Sequence, residues 1–376
     1  MCGFPVHSCT VNPFIYQGPV PRAHLIDRRA ELDALQGAAA NRVAIRLAAP
    51  RRFGKSSLLE AHIASMREAG HRAVRVDLSR VATVGDVAAR IAHAYSELPA
   101  DPRQTVRRWA RRLGISAAPA GVGVSIAPAP PRLGADEART ALLQLLDIPK
   151  ALFELDEGLT AVCFDEFQDL LVADDALDGL VRSVIQYHAE SAAYVFAGSQ
   201  PSLMKALFSD YERPFYGQAR PLTLPALPVV EAAEDIEGIL ARDGLDPGSA
   251  VDELLVFSDG HPQRTILLAH HLYELLDGET PDDPASSAVD LALAETADAL
   301  QTVWDGLDRN ERVVLLAFAD GQAPAGSIVS EQHRIPRSSL RDALLRLVTD
   351  QQLVGEDGDG HPYLLDPLLA EWLRRR

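Results

Sequence analysis

Cysteine is scarce in this chain: three in 376 residues. Cys2 and Cys9 stand in a ragged first stretch and Cys163 inside an apolar run, with no metal-ligand spacing among them, so a disulfide scaffold and a zinc module are both excluded. Unpaired thiols are expected. No apolar run approaches the roughly 18 residues of a membrane span, and Met1 to Thr10 has neither the basic start nor the apolar core of a secretory signal. A soluble, cytoplasmic protein without membrane partners is expected. Positive charge is also in deficit. A formal net charge of −17 excludes general attraction to nucleic acid or anionic lipid, so any such contact must be local. The densest basic stretch is Arg103, Arg107, Arg108, Arg111 and Arg112 around Trp109; it reads as the solvated face of a helix rather than a contact patch. No internal repeat of useful length is present.

What is there is enough chain for two or three cores, with apolar content of 47% and 24% charged residues. Strand-like and helix-like stretches alternate. Val43 to Ala48 reads as a strand, followed by a helix carrying Leu58, Leu59, His62 and Ile63 on one side. Ala73 to Leu78 reads as a second strand, before a helix through Val87, Ile91 and Tyr95. A helix from about Ala135 to Glu157 then leads to strand Ala161 to Phe164, a further helix to Glu190, and strand Tyr194 to Ala197. This alternation predicts an α/β fold with a parallel sheet. The boundaries expected are a leader over 1–24, an α/β core over 25–224 with a loop or hairpin insert at 114–131, a helical domain over 225–300, and a last domain over 301–376. In that last domain Asn310 to Ala319, Ser327 to Gln332 and Arg337 to Thr349 are helix-sized. Leu353-Val354, a Gly/Asp turn and Tyr363 to Leu365 follow, the order of a winged helix-turn-helix.

The chemistry begins where the first strand ends, at Ala49-Pro50-Arg51-Arg52-Phe53-Gly54-Lys55-Ser56. A P-loop holds phosphates with successive backbone N–H groups and a helix N-terminus, a lysine reaches the β/γ oxygens, and a Ser/Thr hydroxyl ligates magnesium. Gly54, Lys55 and Ser56 supply those parts, with Arg52, Phe53 and Ser57 flanking them. The full pattern has glycine at position 49. If that position needs positive φ, Ala49 costs about 1–2 kcal/mol. A Gly-Lys-Ser triplet alone is weak; its place between strand and helix is what counts.

A second apolar strand, Val162-Cys163-Phe164, delivers Asp165 and Glu166 at its end. Magnesium needs a carboxylate near the serine, and hydrolysis needs a base or water-positioning group beside it. Asp165 suits the first role and Glu166 the second, so ATP and magnesium are the expected cofactors. A third strand ends at Gly198-Ser199-Gln200, where Ser199 or Gln200 either touches the γ-phosphate or attacking water, or caps the next helix. Arg213 and Arg220 close the core. Either is a candidate to stabilise phosphoryl charge, in cis or on a neighbouring subunit, against the plainer role of a surface ion pair.

Taken in order, these motifs resemble the archaeal-type ATPases of the STAND branch of AAA+-like P-loop proteins. The likeness runs from Asn12-Pro13-Phe14 and Ile26-Asp27-Arg28-Arg29-Ala30-Glu31-Leu32 through the P-loop, Asp165-Glu166-Phe167-Gln168, Gly198-Ser199, Pro214-Phe215-Tyr216-Gly217 and Gly260-His261-Pro262 to the C-terminus. The resemblance implies that Arg28 lies near the nucleotide base or lid and that Gly260-His261-Pro262 senses bound nucleotide. From the residues themselves, His261 and Pro262 make a turn between helices. It also implies a switch whose helical and winged modules close on the core when ATP binds and reset on hydrolysis, with a protein partner or homo-oligomer defining its role. DNA is the other candidate partner. Arg334, Arg337, Arg341 and Arg346 surround the presumptive recognition helix, but the turn Gly355 to Gly360 carries three acids. Over Arg309–Arg376 nine basic side chains against ten acidic ones give −1, which favours protein over DNA.

Overall fold

The computed structural model describes residues 11–98, 134–356 and 360–376. The Arg103 to Arg112 stretch, the 114–131 insert, Cys2, Cys9 and the centre of the acidic turn lie outside the described residues. The chain divides into two compact units, Arg28–Pro225 and the residues up to Asp27 together with Ala226–Arg376. Among the described residues, no helix is long and apolar enough to cross a membrane.

The Arg28–Pro225 unit is a five-stranded parallel sheet with flanking helices. Its strands are β1 (Ile45–Ala48), β2 (Arg72–Asp77), β3 (Thr160–Asp165), β4 (Ala192–Gly198) and β5 (Arg220–Thr223), in the order β2-β3-β4-β1-β5. β3 and β4 are buried along their whole length, as central strands covered on both faces must be. That explains why they read as unbroken apolar runs. β5 is the element the pattern missed. It is short and mostly exposed and contains Pro221, which only an edge strand tolerates. The helix expected from Ala135 to Glu157 is two helices, Ala135–Leu146 and Ile148–Asp156. They meet at Asp147, one residue before the Ile148-Pro149 start of the second, where proline fits because it needs no N–H partner.

Helix α1 (Arg29–Ala40) precedes β1, and α2 (Lys55–Glu68) follows it. Leu58, Leu59, His62 and Ile63 are all buried, as the periodicity predicts. His62 is the odd member. Neither ring nitrogen has a hydrogen-bond partner, and burial brings its pKa down to about 4. An unfolded histidine titrates near 6.5, so between that pH and about 4 the unfolded chain holds the extra proton. Stability should therefore fall as pH drops through this window, by about 3 kcal/mol. In His62→Leu, urea midpoints measured across the same window should lose that slope relative to wild type. Equal slopes would show that His62 is not the titrating group.

The second unit is mostly helical. Residues read as a leader in fact pack here: Phe14 is buried against Tyr273, Asn12 donates to the His270 carbonyl (3.0 Å), and the His270 ring meets the Phe14 carbonyl (2.8 Å). Helices Val229–Arg242, Ala250–Ser258, Pro262–Asp277 and Pro284–Asp305 precede three more, Arg309–Ala319, Ser327–His333 and Arg337–Thr349. A two-stranded antiparallel hairpin, Val354–Glu356 with Pro362–Leu364, and a last helix, Pro367–Arg374, complete it. One hydrophobic core runs through all of these, from Leu227 to Leu373. Arg264, almost fully buried, pairs with Asp366 across it through two hydrogen bonds, one from Nε at 2.9 Å.

Candidate functional site

The site is built at the C-terminal ends of β1 and β3, where parallel α/β sheets open toward ligands. Ala49 continues the ladder of β1 by donating to the Gly198 carbonyl (3.3 Å), and it is not among the residues with positive φ. The strain anticipated for Ala49 is therefore absent. The left-handed positions of the loop are Arg52 (φ 69°) and Gly54 (φ 84°). Gly54 is also the cap of α2, and no side chain caps that helix. A Cβ on Gly54 would meet nothing within 4 Å. A helix N-terminus without a side-chain cap, beside a buried lysine, suits a phosphate. Phe53 and Ser57 are buried beneath this loop, whereas Arg52 is exposed.

Lys55 Nζ lies 2.8 Å from Glu166 Oε1 and 3.7 Å from Asp165 Oδ1, and Ser56 Oγ lies 3.3 Å from Asp165 Oδ2. The lysine, the serine and both carboxylates are thus one cluster, although more than a hundred residues separate the two motifs. Glu166 adopts φ 53°, a strained region for a non-glycine residue that turns its side chain back toward Lys55. Ser199 holds the same carboxylate from β4, with N–H and Oγ both donating to Glu166 Oε2 at 3.0 and 2.8 Å. Gln168 Nε2 donates to that oxygen too, at 2.7 Å. Burial alone would raise the pKa of Glu166, but the Lys55 ammonium and these hydrogen bonds outweigh it and bring it down to about 2.

Ser199 consequently faces the carboxylate and is not a helix cap; the cap of Pro201–Ser209 is Gln200, whose side chain makes no cap bond. Beneath the turn, Phe167 packs against Phe196 (4.7 Å between centroids) and Phe215 (5.2 Å), with Phe208 closing the cluster. These rings brace the strained residue. Sequence reading passed over two partners. Gln168 stood only inside a family motif, and Arg75, which donates to Asp165 Oδ2 at 2.6 Å, was hidden in β2. An arginine between two buried valines, in a strand that also carries Asp77, was the available signal.

Gly198 is fixed by close approach, since a Cβ there would collide with Gln168 Oε1 and with the Met204 side chain. Gly198→Ala should cost about 1–3 kcal/mol and push Gln168 off Glu166. Thermal denaturation checks the first part, and an unchanged melting temperature would mean that this contact is slack.

The remaining candidates are placed elsewhere. Arg220 is aligned with Ile45, at the entry end of β1, whereas the cluster lies beyond Ala48. Three residues of strand, about 10 Å, separate the two levels, so Arg220 does not point a guanidinium at this site within its own chain. Arg213 is a surface pair partner, 3.2 Å from Asp175 and 3.5 Å from Asp178. Arg28 is buried and bonded to Glu31 (2.9 Å) and the Pro225 carbonyl (2.8 Å), away from the cluster's hydrogen bonds. Pro262 opens its helix in the other unit, behind Gly260, whose φ is 64° and where a Cβ would strike the Leu227 carbonyl. Cys163 is a free, buried thiol whose pKa burial pushes far up.

No known family profile matches the chain, and no curated protein matches it. Solved structures do. A Walker-type ATPase of Pyrococcus abyssi superposes with a TM-score of 0.67 at 19% identity, covering 96% of this chain and 99% of that one. The Aeropyrum pernix ORC2 protein, in ADPNP and ADP complexes, gives 0.58 at 17% identity over 97% and 96% of the two chains. Its ADP form gives 0.53, also at 17% identity, over 96% of each. At such identities the likeness establishes the fold alone: a P-loop NTPase-type parallel-sheet core with a mostly helical second part.

Proposed function

We propose that this protein binds ATP with magnesium and hydrolyses it as a STAND-type switch, in which nucleotide state rearranges the helical lid (225–300) and winged helix (301–376) to control a protein partner or self-assembly. The observation that carries this reading is the convergence of Lys55, Ser56, Asp165, Glu166 and Ser199 at the C-terminal ends of β1, β3 and β4, beside a helix N-terminus without a side-chain cap. Gly54, Arg52, Phe53 and Ser57 form the phosphate loop. Magnesium would be held by Ser56 and Asp165 together with the phosphates, and it would supply neutralisation of their charge. Lys55 leaves Glu166 for the phosphates, and Glu166, still oriented by Ser199 and Gln168, positions the attacking water. That the ORC2 relative is described in ADPNP and ADP complexes supports nucleotide as the ligand.

A DNA-binding regulator with the same core is the competing reading. Against it, Arg346 in the presumptive recognition helix is spent on Asp308 (2.6 Å) and Glu311 (2.9 Å), and Arg337 donates to the Ala325 carbonyl (3.1 Å). Two of the four arginines available for phosphate contacts are thereby engaged within the protein. Fluorescence anisotropy with mixed-sequence duplex should show no binding at low salt. Tight binding with a steep salt slope would replace the switch reading by the DNA one.

A further inference from the structure

We propose that Arg75 is a built-in counter-cation that competes with magnesium for Asp165 and sets how much magnesium is needed to load the site. This rests on the ATP reading above. Arg75 sits in β2, two positions before Asp77, and Asp77 is aligned with Asp165 in the adjacent strand. Its side chain therefore has to run up the sheet by about 7 Å, close to the full reach of an arginine, to meet Asp165. It arrives at 2.6 Å from Oδ2, the oxygen that also faces Ser56 Oγ at 3.3 Å. The other oxygen, Oδ1, accepts the Glu166 N–H at 3.1 Å and has Lys55 Nζ 3.7 Å away. Both oxygens of the carboxylate expected to serve the metal are thus committed inside the protein.

Arg75 also has a place to retreat to. Its Nη1 donates to Glu60 Oε1 at 3.1 Å, and Glu60 is half-exposed on α2. Ser56 and Glu60 are four residues apart on that helix and so share a face, which lines up the metal-side hydroxyl, Arg75 and the parking carboxylate along one line. The present pose leaves Arg75 Nε buried without a partner, so holding Asp165 costs the guanidinium one of its donors. Asp165 becomes available to a metal shell only when Arg75 gives up Oδ2 and leans on Glu60.

The test titrates the full-length protein calorimetrically with a non-hydrolysable ATP analogue over a series of free Mg2+ concentrations. Arg75→Met should lower the Mg2+ needed for half-maximal tightening by about tenfold, the worth of one charge-assisted hydrogen bond. Glu60→Gln, which removes the parking site, should raise it. An Arg75→Met protein needing as much Mg2+ as wild type, or more, would make Arg75 a mere support of Asp165 and overturn the proposal. Should Arg75→Met fail to fold, Glu60→Gln decides alone, and an unchanged or lowered requirement rejects the shuttle. Wild type that binds no analogue at any Mg2+ concentration would sink the ATP reading and this proposal with it. That outcome is distinct from analogue binding with the wrong Mg2+ order among the variants.

Discussion

Lys55→Ala is expected to abolish ATP binding, with affinity measured by calorimetry falling about a hundredfold or more. Two losses add in the same direction. The phosphates lose the point charge that would reach their oxygens, and the site loses the cation that now sits 2.8 Å from Glu166 and 3.7 Å from Asp165. With the lysine gone, the adjacent carboxylates have only Arg75 to offset them on the Asp165 side, and the cradle turns from neutralising to repelling an anion. The rival account makes Lys55 a structural counter-ion and nothing more. Removing one partner of a largely buried pair costs about 3–5 kcal/mol by itself, so a drop in melting temperature is expected under either account. Only affinity separates them. A folded Lys55→Ala protein that still binds ATP like wild type would leave the P-loop reading without its central residue.

Much of this was legible in the chain because it depends on local chemistry. A strand buried on both faces must be apolar, and an apolar run that ends in Asp165-Glu166 or in Gly54-Lys55-Ser56 declares where it stops. What local chemistry does not carry is which strand ends are neighbours. Arg220 looked like a catalytic candidate because it follows the core motifs in sequence, yet parallel alignment with Ile45 sets it at the opposite end of the sheet. Position 49 looked costly because a motif places glycine there, yet the backbone takes its left-handed turns at Arg52 and Gly54 instead. Phe14 and Asn12 looked like part of a leader because nothing near them in sequence explains their burial; their partners, Tyr273 and His270, are more than 250 residues away. Arg75 was invisible for the same reason. Its meaning lies in Asp165 and Glu60, one on the next strand and one on the preceding helix.

Glu166→Gln should separate binding from turnover, and in opposite directions. A carboxylate held at about 2 is a feeble base. Its proton affinity rises when Lys55, the largest of the groups holding it down, is drawn away to phosphate, which ties basicity to occupancy of the site. Glutamine keeps the size of the side chain, and its carbonyl oxygen can still accept from the Ser199 N–H and hydroxyl. Its amide then faces Lys55, a donor set against a donor, so the variant frees the lysine that wild type keeps occupied. ATP affinity should accordingly equal or exceed that of wild type, while single-turnover phosphate release should fall about 10²–10⁴-fold, the usual worth of a positioned general base. Release undiminished in the variant would remove Glu166 from the chemistry. Equal and negligible release from both proteins would instead make the chain an ATP-binding scaffold. The combination of firmer binding and lost turnover is the one result that a passive acidic turn at the end of β3 does not produce.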